Sequence, residues 1–223
     1  TALLLRAAEK HSQNAMALRY VASMYLDGDN PLAARPYLEA ILNLPRRTLD
    51  DDAFARRAVL TLDLEDFEDR YDQAIDYVRS GDKQKQLAAS RFLREIIARD
   101  PRYWQPHLML AIAVANTEGD VAALAHLNDA VRLRPNDAEI RNLLAAILRK
   151  QGRAREAVEH LRAVVAINPR EIEPVINLAS AMRDANLFDE ARQVCEAALQ
   201  MIPDHPEFKR ILGSLPPPRQ RQN

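Results

Sequence analysis

Apolar and small side chains recur in a fixed order along residues 102–203, and the order itself repeats. In the last copy the positions are Val175, Leu178, Ala179, Met182, Ala191, Cys195 and Ala198, closed by Pro203. One period earlier stand Leu144, Ala145, Leu148, Ala157, Leu161, Val164 and Pro169, with Arg141 in the first slot and Gly152 at the turn. The copy before that reads Leu110, Ala111, Val114, Ala123, Leu127, Ala130 and Pro135, opened by His107. Pro101, Pro135, Pro169 and Pro203 mark the same point at intervals of 34 residues. Spacings of three and four put such side chains on one helix face, and the polar break inside each period predicts two helices joined by a turn. A helix pair cannot bury its apolar face alone, so a period of this length predicts a stacked array.

The pattern extends upstream with one interruption. From Asn14 to Pro45, residues Ala17, Tyr20, Val21, Met24, Gly28, Ala33, Tyr37 and Ala40 hold the same offsets. Pro31 fits the first turn of the second helix in this copy, whereas Pro36 lies further in and should bend it. The interval from Pro45 to Pro101 is 56 residues, one period plus 22, and requires an insertion. Helices are expected over Asp50–Leu62, from about Glu65 to Arg79, and over Lys83–Arg99, with Gly81 as a turn; the insertion is an extra helix within an irregular repeat. Ala2–His11 has helical spacing without a start signal, as would the second helix of a truncated repeat in a chain cut from a longer one. A capping helix is expected over His205–Leu212, burying Phe208, Ile211 and Leu212 and ended by Gly213. The expected organisation is therefore 1–13, the truncated repeat; 14–47, a repeat; 48–101, the irregular repeat; then repeats at 102–135, 136–169 and 170–203. A cap at 204–213 and a proline-rich tail at 214–223 complete it.

The spacing and residue classes resemble the tetratricopeptide-repeat family. The resemblance implies an all-α fold, a right-handed α-solenoid of antiparallel helix pairs with a C-terminal capping helix. The chain departs from the family pattern in lacking an aromatic residue at His107, Arg141 and Val175. The family also implies a non-catalytic protein-protein interaction scaffold, in which the first helices line a concave face that takes an extended peptide or partner protein. By position, that face receives Gln105, Leu108, Met109, Ile112 and Asn116, then Glu139, Asn142, Leu143, Ala146, Arg149 and Lys150. The last repeat supplies Glu173, Ile176, Asn177, Ser180, Arg183 and Asp184, and the early one Leu18, Arg19, Ala22 and Tyr25. The candidate partner-binding set is Leu108, Met109, Ile112, Asn116, Asn142, Leu143, Arg149, Lys150, Asn177 and Arg183. It suits a segment with an apolar anchor and acidic groups, since asparagine amides pair with backbone and arginines with carboxylates. The two-lysine, two-asparagine clamp of chaperone adaptors does not fit: Leu108 and Ile112, or Asn142 and Ala146, stand where it needs Lys and Asn.

Composition narrows the chemistry. With 48% hydrophobic and 28% charged residues over 223 positions, the chain reads as globular and soluble, and 5% aromatics suit closely packed helices. A net charge of −1 removes the argument for nucleic acid. The lone Cys195 excludes an internal disulfide and occupies a core slot. No run reaches the ~18 apolar residues of a membrane span, and no secretion signal is seen. All five glycines fall at turns or at the end of the cap, leaving none for a phosphate loop. His11, His107, His126, His160 and His205 are scattered, and Ser180 lacks a nucleophile elbow; no catalytic residue, metal site or cofactor is expected. The acidic run Asp63–Asp76 lacks the glycine and ligand spacing of a calcium loop, and reads as a solvated face with Phe67, Tyr71 and Ile75 on its buried side. The tail's prolines fall short of a full polyproline ligand. Alanine- and arginine-rich degenerate repeats are similar to those of bacterial envelope assembly and of polysaccharide or protein secretion. The compartment, cytoplasmic or periplasmic, stays open. The alternative is the recognition arm of a glycosyltransferase- or sulfotransferase-type enzyme, and self-association is a third possibility.

Overall fold

A computed structural model describes residues 13–217; the expected helix over Ala2–His11 and the last residues of the tail lie outside them. Among the described residues there are twelve α-helices and no strand. The chain divides between Pro106 and His107 into two compact units.

The first unit opens with α1 (Ala15–Leu26), whose start is fixed by Asn14: its Oδ1 accepts from the amides of Met16 and Ala17 at 3.0 and 3.3 Å. The next helix is split. Pro31 begins a 3-10 turn over Pro31–Ala34, and α2 (Arg35–Asn43) starts afresh with Pro36 in its first turn. The expected bend is thus a break, because placing Pro36 in a first turn removes the demand on its missing amide donor. Leu18, Ala22, Ala34, Leu38 and Ile41 close into a core with Ala55 and Ala58 of α3 (Leu49–Asp63).

The irregular segment forms α3, α4 (Phe67–Arg79) and α5 (Lys83–Arg99). A capping box starts α3: Thr48 Oγ1 accepts from the Asp51 amide at 3.0 Å, and the Thr48 amide donates to Asp51 Oδ2 at 3.3 Å. Phe67, Tyr71, Ala74 and Val78 form the buried stripe of α4, leaving Glu65, Asp66, Asp69 and Asp76 exposed. Ile75 is only half-buried, because Ala74 takes the inward position. Arg56 is 2% exposed and donates to Asp52 Oδ2 at 2.7 Å and Asp100 Oδ1 at 2.7 Å, joining α3 to the C-cap of α5.

The second unit begins within α6 (Trp104–Thr117) and continues through α7 (Asp120–Leu133), α8 (Ala138–Lys150), α9 (Ala154–Ile167), α10 (Ile172–Asp184) and α11 (Phe188–Met201) to α12 (Pro206–Ser214). From α7 onward each helix packs on the next in chain order, and short connections make neighbours antiparallel. The slots read from the period are buried: Leu110, Leu144 and Leu178 from first helices, and Leu127, Leu161 and Cys195 from second helices. Phe208 and Ile211 of α12 complete the final core with Ala179, Cys195 and Ala198. The cap runs on through Gly213 to Ser214, where a helix end at Gly213 was expected. Gly213 has no left-handed φ, so it does not act as a stop.

The stop that does recur is at the end of each first helix. The amides of Gly119, Arg153 and Leu187 donate to the carbonyls of Val114, Leu148 and Met182 at 2.8, 2.9 and 2.8 Å. Donors and acceptors alike step by about one period, and the five-residue reach is that of a Schellman turn. The reversal uses a left-handed residue at Gly152 (φ 74°) and Asn186 (φ 62°), in equivalent positions; in the first copy the donor Gly119 itself takes a positive φ of 99° with an extended ψ of 168°.

Candidate functional site

The residues expected to face a partner do not all reach solvent. In the first unit Leu18 and Ala22 belong to the α1–α3 core, and Arg19 is engaged with Asp51 at 3.4 Å and stacked over Phe54. Leu18 and Ala22 are part of the scaffold, because α1 turns them onto α2 and α3, whereas the paired Arg19 side chain stays 42% exposed. In the second unit Leu108 and Ser180 are buried, and Ile176 packs on the α12 core. Met109, Ile112, Asn142, Leu143, Asn177, Arg149 and Arg183 are half-buried; Asn116, Lys150 and Ala146 are exposed.

The period's missing aromatics are replaced individually. Arg141 donates through Nε to the Pro135 carbonyl at 2.6 Å and lies 3.2 Å from His160 Nδ1. Burial, aided by that guanidinium, holds the His160 imidazole below its ordinary pKa. His107 is buried near the His126 ring, with Nδ1 3.9 Å from Asp129. Val175 packs against the last core.

The strongest convergence of candidate residues is on α8 and α10, which touch directly. Arg149 at the end of α8 donates through Nε and Nη2 to Asp184 Oδ2 at 3.0 and 2.6 Å. Arg183 donates through the same two nitrogens to Asp184 Oδ1 at 3.2 and 2.9 Å. Arg149 and Arg183 are equivalent positions in successive copies, so one guanidinium from each repeat grips a single carboxylate. Burial alone would raise the Asp184 pKa; the two arginines outweigh it and hold the group below the ordinary carboxylate range. The sequence placed Asp184 on this face but not in this role. A signal was available: Asp184 replaces Lys150 one period on, beside the second arginine.

Two turns before Arg149, about 10 Å along the same helix, the side chain of Asn142 is half-buried and its Oδ1 is fully covered, accepting no hydrogen bond among the described residues. An unpaired buried acceptor costs about 1–3 kcal/mol, so this atom gains from any donor that reaches it. A concavity lies in the first unit, with a volume of ≈ 430 Å³ and a lining of Leu26, Phe54, Leu62, Arg57 and Glu68 among others. Its polar groups are already satisfied, with Arg57 Nε donating to Glu68 at 2.8 Å and Thr61 donating to the same carboxylate at 2.6 Å. It therefore offers an incoming segment apolar contact but no unmet hydrogen bond. Among the described residues no cluster of His, Cys, Asp or Glu could hold a metal, and no helix is long and apolar enough to cross a membrane.

Helix pairs stacked in register, with half-buried polar residues along successive first helices, define a helical-repeat interaction scaffold. Two descriptions of the tetratricopeptide repeat match, over residues 119–172 and 148–215, and this stretch of the chain consists of tetratricopeptide repeats. Among solved structures, it resembles "YrrB: a TPR protein with an unusual peptide-binding site" at 18% identity and a TM-score of 0.52, covering 93% of this chain and 96% of that one. A MamA structure from Desulfovibrio magneticus RS-1 gives 23% identity and a TM-score of 0.52 over 64% of this chain and 82% of that one. These likenesses show the fold. The chain is also 30% identical over 131 residues to the human protein O-mannosyl-transferase TMTC1, a stretch that covers 57% of this chain and 15% of that protein.

Proposed function

We propose that the second unit binds an extended segment of a partner protein along α6, α8 and α10. The half-buried side-chain amides of Asn142 and Asn177 on successive first helices carry this reading, since an amide can both donate to and accept from the backbone of an incoming strand. Leu143, Ile112 and Met109 would take an apolar anchor. Arg149, Lys150 and Arg183 would meet acidic groups, with Asn116 bounding the α6 end. YrrB's printed title names a peptide-binding site, which lends the reading support by fold alone.

The test is affinity capture from native lysate with the parent chain and with Asn142→Ala/Asn177→Ala/Arg183→Glu, followed by mass spectrometry. A partner retained by the parent and lost by the variant, at unchanged helical circular dichroism, is the expected result. Capture of the same proteins by both overturns it.

A second reading rests on the likeness to TMTC1: this array would be the recognition arm of a larger glycosyltransferase. Top-down mass spectrometry of the endogenous protein tests it. Repeats alone in the intact product would end that reading.

A further inference from the structure

We infer that the Arg149–Arg183 site is a carboxylate-binding site held closed by the protein's own Asp184, which an acidic partner segment must displace. The inference deepens the peptide-binding reading and rests on it. Two guanidiniums from successive repeats converge on one carboxylate, using four N–H donors at 2.6–3.2 Å. Bidentate arginine pairs are how proteins recognise carboxylates from outside the chain. Here the recognised group is internal, placed where the preceding repeat carries Lys150.

Geometry decides what displacement requires. Asp184 sits at the last position of α10, and its side chain is about one-third exposed, as are those of Arg149 and Arg183. The group is therefore at a surface, where the carboxylate can turn out to water while an incoming one takes the same four donors. Exchange of one carboxylate for another leaves the number of ion pairs unchanged. The protein thus favours partners offering a multiply charged segment, and discriminates against neutral ones that cannot compensate the two arginines. Asp184 sets the threshold of affinity.

The probe is fluorescein-labelled hexaglutamate, with hexaglutamine as the neutral comparison, followed by fluorescence anisotropy at low salt. Asp184→Asn is expected to tighten hexaglutamate binding at least tenfold and to leave hexaglutamine unchanged. Adding Arg149→Gln to Asp184→Asn should abolish the gain. Glu196→Gln, which removes the same charge from an exposed position on α11, should give less than a twofold change. Arginine Nε–H resonances give a second readout: hexaglutamate should shift those of Arg149 and Arg183 in Asp184→Asn far below the concentration needed in the parent. An Asp184→Asn affinity within twofold of the parent overturns the inference, as does an equal gain from Glu196→Gln. The capture experiment is independent, since a partner lost by the Asn142/Asn177/Arg183 variant with no effect of Asp184→Asn leaves the groove reading standing and removes only the internal competitor.

Discussion

At the residue scale, glycine identity matters at the turns and not at the cap. Gly152 lies at φ 74°, where an added Cβ meets no atom within 4 Å, so its substitution is penalised by backbone conformation alone. Gly152→Ala should cost about 1–2 kcal/mol. Gly213 is helical and equally open, so Gly213→Ala should stabilise by about 0.5–1 kcal/mol. Urea denaturation of the two variants should move the midpoint in opposite directions, and a shared sign would contradict the assigned backbone geometry. The sequence marks both as glycine and cannot separate them, because a helix-ending glycine and a tolerated one differ only in φ. Asp184 was hidden for a related reason: its ion pairs depend on rotamers reaching across from one repeat to the next. Cys195 was legible, since the period alone puts it in a core slot that Leu161 and Leu127 fill in other copies.

At the scale of elements, helix existence followed directly from apolar spacing, even in the irregular segment. What spacing does not reveal is how that segment is fastened. Arg56 falls in a stretch where a solvated arginine would be unremarkable, yet it is buried between Asp52 and Asp100, 44 residues apart from the latter. Burial acts to raise the Asp52 pKa, and the hydrogen bonds from Arg56 and Arg47 overturn it, leaving a net lowering. Removing the shared cation leaves Asp52 with Arg47 alone and Asp100 with the Arg102 amide in place of a guanidinium. Arg56→Ala should therefore destabilise by about 3–5 kcal/mol, whereas Arg57→Ala, in a more exposed pair, should cost under about 1 kcal/mol. Chemical denaturation followed by circular dichroism compares them; equal losses would mean that Arg56 contributes no more than a surface charge.

For the whole molecule, the displaced pKa values predict a two-step loss of stability in acid. The imidazole of His160 is kept neutral in the fold by burial and by Arg141. Unfolded chains take up that proton first, so its contribution is full above about pH 6.5 and is lost as pH falls through that value toward the lower folded pKa. Asp51 is lowered by the Thr48 hydrogen bond, while Asp52, Glu68 and Asp184 are lowered by pairing that outweighs burial. Their contributions are complete above the ordinary carboxylate range near about pH 4 and disappear below it. Urea midpoints measured from pH 8 to pH 3 should fall in both windows, and His160→Gln should flatten the upper one alone. An unchanged upper window in that variant would assign it to another group. Of this profile the sequence displays only the titratable residues: which carboxylates are paired, and which histidine faces an arginine, is decided where helices distant in the chain meet.

The recurrent helix stop at Val114, Leu148 and Met182 has one further consequence. Because each first helix carries its own terminating turn, the array has something close to translational symmetry along the chain. Excision of residues 136–169 would remove one whole period and join equivalent points, leaving the remaining turns with their own donors and acceptors. An excision of half that length would fuse like helices, first to first or second to second, and strand their ends. The chain can thus change length in whole periods more readily than in fractions, and each such step would change the number of rungs along which a bound segment is read.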